Sequence, residues 1–194
     1  ELLLGKGYEV YGTSRDAQGS GFVNLEKLGI KQQVEKLSML PEEFRSVYAA
    51  LCKSKPDEVY YLAGQSSVGL SFEQPAETIQ SITLGVLNIL EACRMIEKEI
   101  RIYHAGSSEC FGDIGSEAAN ELTPFHPRSP YAVAKASAFW LVDNYREAYN
   151  LHACNGILFN HESPRRGVNF VTKKIIQGLT RIKNGKQKKW FLYF

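Results

Sequence analysis

Tyr131 and Lys135 stand four residues apart in the stretch Ser129-Pro130-Tyr131-Ala132-Val133-Ala134-Lys135. On a helix, positions i and i+4 share a face. An ammonium beside a phenol favours the phenolate and lowers its pKa from about 10. A phenolate is a competent base for taking a hydroxyl proton during hydride transfer. The spacing alone is weak evidence, since Tyr and Lys fall four apart by chance in many helices. Upstream, Ser107-Ser108-Glu109 follows an apolar run, where a hydroxyl can bond both a substrate alcohol and Tyr131. Glu109 adds a carboxylate. Removing and returning a hydride needs no further base, whereas eliminating water requires a second group to draw off a carbon-bound proton. Leu62-Ala63-Gly64-Gln65-Ser66 ends another apolar run with small residues, where backbone can approach a cofactor closely.

His161-Glu162 suggests zinc, but Arg165 occupies the second histidine position of H-E-x-x-H, so no metal is expected. Arg165 and Arg166 follow an apolar strand and suit a diphosphate, since guanidinium forks bind phosphate oxygens in pairs. After the strand at 8–13, Arg15 comes first and Asp16 second. An arginine there accommodates a ribose 2′-phosphate, and an acid there holds the 2′-hydroxyl. Cys110 lies near the serines, but no neighbouring basic residue would activate it, so it reads as packing.

The elements that must position these groups alternate. Residues 1–4 are apolar and uncapped, and Gly5-Lys6-Gly7 ends them as a helix C-cap. Strands are expected at 8–13, 58–63, 100–105 and 153–159, and helices at 41–53, 76–97, 129–149 and 168–182. This alternation argues for βαβ units in a parallel sheet, with both faces covered. The expected fold is α/β, a Rossmann-type doubly wound sheet.

The composition is that of a soluble globular chain: 194 residues, 44% hydrophobic, 23% charged. A net charge of +2 gives no argument for nucleic acid or an anionic membrane. No apolar run approaches the ~18 residues of a membrane span. No signal peptide is recognisable, and the four cysteines are widely spaced, which points to reduced thiols in a cytoplasmic protein. The closing run of lysines and then aromatics at 186–194 reads as a tail at a fragment terminus.

Serine, tyrosine and lysine in this order resemble the extended branch of the short-chain dehydrogenase/reductase superfamily. Three longer motifs resemble its GDP-mannose 4,6-dehydratase family: Pro56-Asp57-Glu58-Val59-Tyr60-Tyr61-Leu62-Ala63-Gly64-Gln65-Ser66-Ser67-Val68, Pro124-Phe125-His126-Pro127-Arg128-Ser129-Pro130-Tyr131-Ala132-Val133-Ala134-Lys135, and Asn155-Gly156-Ile157-Leu158-Phe159-Asn160-His161-Glu162-Ser163-Pro164-Arg165-Arg166-Gly167. The resemblance implies a catalytic set of Ser107, Glu109, Tyr131 and Lys135. It implies NADP held by Arg15, Leu62, Ala63, Gly64, Gln65, Ser66, Lys135, His161 and Arg166. Ser108 and Asn160 would face GDP-mannose or a similar nucleotide sugar. Residues 1–185 would be a partial NADP-binding domain with the start of the substrate-binding part.

The chain departs from the family at three positions: Ser107 replaces threonine, Gly106 replaces serine, which is expected to loosen the loop, and Asp16 replaces a basic residue. By resemblance, the first strand, its glycine-rich turn and most of the C-terminal part are missing, and the isolated chain is expected to be inactive. The resemblance also implies a homodimer or homotetramer, paired through 76–97 and 129–149 with Leu84, Leu87, Ala138 and Leu141 as apolar contacts. The rival readings are a related epimerase or reductase, and a non-catalytic fragment that binds nucleotide or a partner subunit.

Overall fold

The computed structural model describes residues 1–96, 98–168 and 170–189; the expected aromatic end of the tail, 190–194, lies outside the described residues. The chain divides into two compact units, Glu1–Phe159 and Asn160–Phe194. The division falls inside the span that the sequence reading takes as one domain.

The first unit opens with α1 (Leu2–Gly5), closed by Gly7 in the left-handed region at φ 84°. Then come β1 (Val10–Ser14), α2 (Val23–Lys27), β2 (Val34–Ser38), α3 (Phe44–Ser54), β3 (Glu58–Tyr61) and α4 (Val68–Glu73). The helix expected at 76–97 starts at Pro75 and is not uniform. It runs as α5 (Pro75–Ile79), a π turn (Gln80–Leu84) and α6 (Gly85–Met95); Glu97 lies outside the described residues. After it come β4 (Arg101–Ala105), a 3-10 turn (Ser108–Phe111), α7 (Pro130–Tyr149) and β5 (Ala153–Gly156). The second unit holds α8 (Val171–Lys183).

All strand pairs are parallel. β1 pairs with β2 from Val10↔Val34 to Ser14↔Ser38. β3, β4 and β5 form a second sheet in that order, with Tyr61 opposite His104 and His104 opposite Asn155. β2 has no counterpart in the sequence reading. The strand expected to reach Phe159 ends its ladder at Gly156, although Ser108 N–H still donates to Leu158 O at 2.9 Å.

α6 and α7 pack against each other and over the second sheet. The inner face of α7 is built from Ala134, Ala138 and Val142, all fully buried, so the helix backbone sits close to the strands. Ala138 is therefore a core residue and offers no surface to a partner, which corrects its expected place in a subunit interface; Leu87 and Leu141 are partly buried against the same core. The core continues through Val47, Ile82, Leu90 and Ile102. No helix among the described residues is long and apolar enough to cross a membrane.

Candidate functional site

α7 carries the Tyr–Lys pair because its start is tightly specified. The Ser129 hydroxyl accepts from Ala132 N–H at 3.1 Å, and Pro130 takes the first helical position, where no N–H is needed. This places Tyr131 and Lys135 one turn apart, with the Lys135 ammonium 5.9 Å from the centre of the Tyr131 ring. Lys135 is buried, and Nζ donates to the Ala105 carbonyl at 2.7 Å, at the end of β4. Burial pushes its pKa down to about 8.

The same end of β4 leads directly to the serines. Ser107 is buried and caps the 3-10 turn, its oxygen accepting from Glu109 N–H at 3.3 Å. That bond uses the oxygen as acceptor and leaves the hydroxyl proton to be donated elsewhere. Gly106 does not loosen this segment, contrary to expectation. It is buried, its N–H donates to Gly156 O at 2.8 Å, and a Cβ there would stand 3.0 Å from the same oxygen. Ser108 and Glu109 line a cleft of about 420 Å³ with Phe111, Arg128 and Phe159. Arg128 is a cation that the sequence reading did not single out. Cys110 is buried between these groups, and burial pushes its thiol up to about 11, so it is a packing residue.

A larger cleft of about 610 Å³ opens beside the ends of β1 and β3. Of the residues expected to hold a cofactor, Arg15, Ala63, Gly64 and Gln65 line it; Leu62 and Ser66 are exposed and are not among its lining residues. Gly64 adopts φ 120°, and a Cβ there would approach Ile82 Cγ1 to 2.8 Å. A side chain is excluded there by the packing of Gly64 against the buried Ile82 of the π turn. Gln80 and Ser81 of the π turn also line the cleft, and Gln65 N–H donates to Ser81 Oγ at 3.3 Å. The π turn exposes the Ser81 carbonyl to the Tyr61 hydroxyl, which donates to it at 2.9 Å. Nothing in the local pattern of 76–97 signals this.

The order Arg15-Asp16 also resolves in space. Asp16 Oδ1 accepts from Gln18 N–H at 2.9 Å and Gly19 N–H at 2.8 Å, closing a turn. Arg15 faces the cleft instead. Asn160, His161 and Arg166 belong to the second unit. There Arg166 Nε lies 3.7 Å from Glu162 Oε2, and its guanidinium covers the Phe170 ring at 3.6 Å. Among the described residues there is no group of three or more His, Cys, Asp or Glu able to hold a metal.

A family model described as GDP-mannose 4,6 dehydratase matches residues 1–193. A GDP-mannose 4,6 dehydratase of Arabidopsis thaliana is 48% identical over 202 residues, covering 99% of this chain and 54% of the relative. Among solved structures, UDP-glucose 4-epimerase of Thermus thermophilus in complex with NAD superposes with a TM-score of 0.80 at 27% identity, over 95% of this chain and 58% of that one. RMD from Pseudomonas aeruginosa complexed with NADPH gives 0.74 at 27% identity, over 93% and 63%. The chain spans about half the length of the curated relatives it matches.

Proposed function

The chain belongs to the GDP-mannose 4,6-dehydratase family, and from that premise we propose that it carries the proton-transfer residues for converting GDP-mannose to GDP-4-keto-6-deoxymannose, a sugar-nucleotide dehydratase reaction dependent on NADP. The observation that carries this reading is the convergence of Lys135, through the Ala105 carbonyl, on the strand end that delivers Ser107 and Glu109. Tyr131, as phenolate, takes the proton of the C4 hydroxyl. Lys135 stabilises that phenolate through its charge. Ser107 donates a hydrogen bond to the substrate oxygen. Glu109 draws off the C5 proton, which leaves with the C6 hydroxyl as water. A simple epimerase or reductase has no use for that carboxylate.

The larger cleft suits a nicotinamide dinucleotide by its size, about 610 Å³, and by its place beside the ends of β1 and β3. Bound there, the cofactor supplies a hydride acceptor and then a hydride donor, with no net change in its oxidation state. Arg15 would pair with a 2′-phosphate, and the engagement of Asp16 in its own turn supports NADP over NAD. Solved relatives at equal identity hold NADPH in one case and NAD in the other. For Asn160, His161 and Arg166 of the second unit, contacts to the nucleotide and sugar are proposed from the family resemblance alone. For assembly we infer a homodimer or homotetramer, supported by exposed Leu84, Met95, Val133, Trp140 and Tyr149 on the π turn, α6 and α7.

The test is to incubate the full-length protein with GDP-mannose and no added reductant. A 4-keto-6-deoxy product is expected. Recovery of only an epimerised GDP-hexose would overturn the reading.

A further inference from the structure

His104 is 1% exposed, at the centre of the three-stranded sheet, and has no part in the proposed proton transfers. Its Nδ1 lies 2.9 Å from Asn155 Oδ1, across the ladder on β5. Asn155 is oriented from its other side, because its Nδ2 donates to the Phe139 carbonyl at 3.1 Å. The amide nitrogen must face that carbonyl, so Oδ1 faces the imidazole and Nδ1 carries the proton. Nε2 is then a lone-pair acceptor, and among the described residues it has no hydrogen-bond partner.

The bridge His104–Asn155–Phe139 joins β4 to α7. A second tie, Ala105 to Lys135, joins the same two elements. The two ties are one residue apart on the strand and four residues, one helical turn, apart on the helix. Two such ties prevent the helix from sliding or rolling over the strand end. We propose that His104 is a positioning residue for Lys135: with Asn155 it pins α7 to β4 one turn beyond the lysine and so sets where the ammonium meets the Ala105 carbonyl. The inference concerns the same site as the function proposed above, and rests on that reading only for its importance to turnover.

The arrangement requires a neutral ring. Burial pulls the imidazole down to about 4; the Asn155 bond opposes this, and the charge of Lys135 adds to it. The titratable groups around the layer are Tyr61 from β3, with its ring centre 6.4 Å from that of His104, Lys135 and Tyr131 from α7, and Cys110 from the 3-10 turn. Lys135 is the cation among them. A protonated His104 would set a second buried cation beside it, which the low-dielectric interior opposes.

Two measurements test this without relying on turnover. In protein with 13C-labelled lysine, the Lys135 side-chain signal is identified by its loss in Lys135→Arg and titrated. His104→Phe should fold with the tie cut and raise the Lys135 pKa by about one unit or more as water reaches the ammonium. His104→Gln keeps a donor for Asn155 and should titrate as the unaltered chain does. An unchanged Lys135 titration in folded His104→Phe overturns the proposal. If His104→Phe does not fold, Asn155→Ala cuts the same bridge from its more accessible side, and an unchanged titration there overturns it equally. Imidazole 15N shifts at neutral pH should show the Nδ1–H tautomer; the Nε2–H tautomer would also overturn the proposal. A shifted Lys135 in a protein with no dehydratase turnover would leave this inference standing and remove the proposed function alone.

Discussion

Lys135 donates a 2.7 Å hydrogen bond to the carbonyl of Ala105, so a buried ammonium is held by backbone at the last residue of β4. A carbonyl orients the charge but compensates it only in part, which is why burial dominates and the pKa falls to about 8.

Folded Lys135 releases its proton near pH 8, while the unfolded lysine holds it to about 10.5. Between these values the unfolded chain binds more protons, so this group's contribution to stability rises with pH across that window. Below pH 8 it is destabilising throughout. Lys135→Met should therefore be more stable than the parent at pH 7, on the order of 2 kcal/mol, and should lack the rise above pH 8. Urea denaturation at pH 7 and pH 9.5 checks both; a variant less stable at pH 7 would show that the Ala105 bond outweighs desolvation.

Glu109→Gln in the full-length protein should bind GDP-mannose nearly normally and slow elimination by roughly 10²–10⁴-fold. Exchange of the C5 hydrogen with solvent should slow in parallel. Unchanged turnover would return Glu109 to the status of a surface carboxylate.

Arg15 and Asp16 should separate in a cofactor titration. Arg15→Ala should weaken NADPH by roughly 10–100-fold, the loss of one charged hydrogen-bonding partner, with little effect on NADH. Asp16→Ala should leave the preference between the two cofactors intact while freeing the Gln18 and Gly19 amides. Equal loss for both cofactors in Arg15→Ala would remove the 2′-phosphate contact.

At Gly85 an added Cβ would collide with the Tyr61 hydroxyl. Gly85→Ala should thus destabilise by about 1–3 kcal/mol, despite the better helix propensity of alanine. Tyr61→Phe removes the hydroxyl that donates to the Ser81 carbonyl and should cost about 1–3 kcal/mol by itself. Because both changes act at one point of contact, the double variant should lose clearly less than the sum. Strict additivity in thermal unfolding would mean that Tyr61 relocates freely and does not hold the π turn.

Sedimentation of the full-length protein at micromolar concentration should show a dimer or tetramer. Trp140→Glu, altering a half-exposed ring on α7, should shift it toward monomer. A clean monomer before any substitution would count against assembly through this face.

What the sequence determined by itself lies within single elements. The i, i+4 spacing of Tyr131 and Lys135 and the Ser129-Pro130 start place both groups on one helix. Apolar runs ending at small residues mark the strands that deliver Gly64 and Ser107, and the longer motifs identify the family. Tertiary structure decided what depends on contact across the chain. β2 was not legible because Val34-Glu35-Lys36-Leu37-Ser38 is too polar to read as a buried strand, and it becomes one by pairing with β1. In the π turn the Ser81 carbonyl accepts from the hydroxyl of Tyr61, twenty residues earlier, a contact that no local pattern signals. Ala138 and Leu84 look alike in a helical repeat, yet one is core and the other exposed, because the sheet lies under only one of them. The roles of Arg15 and Asp16 separated only when a turn claimed the carboxylate. His104 carries no signal at all, since its partner is 51 residues away. Local periodicity records which face a residue occupies, while the identity of what meets that face is set by packing between distant segments.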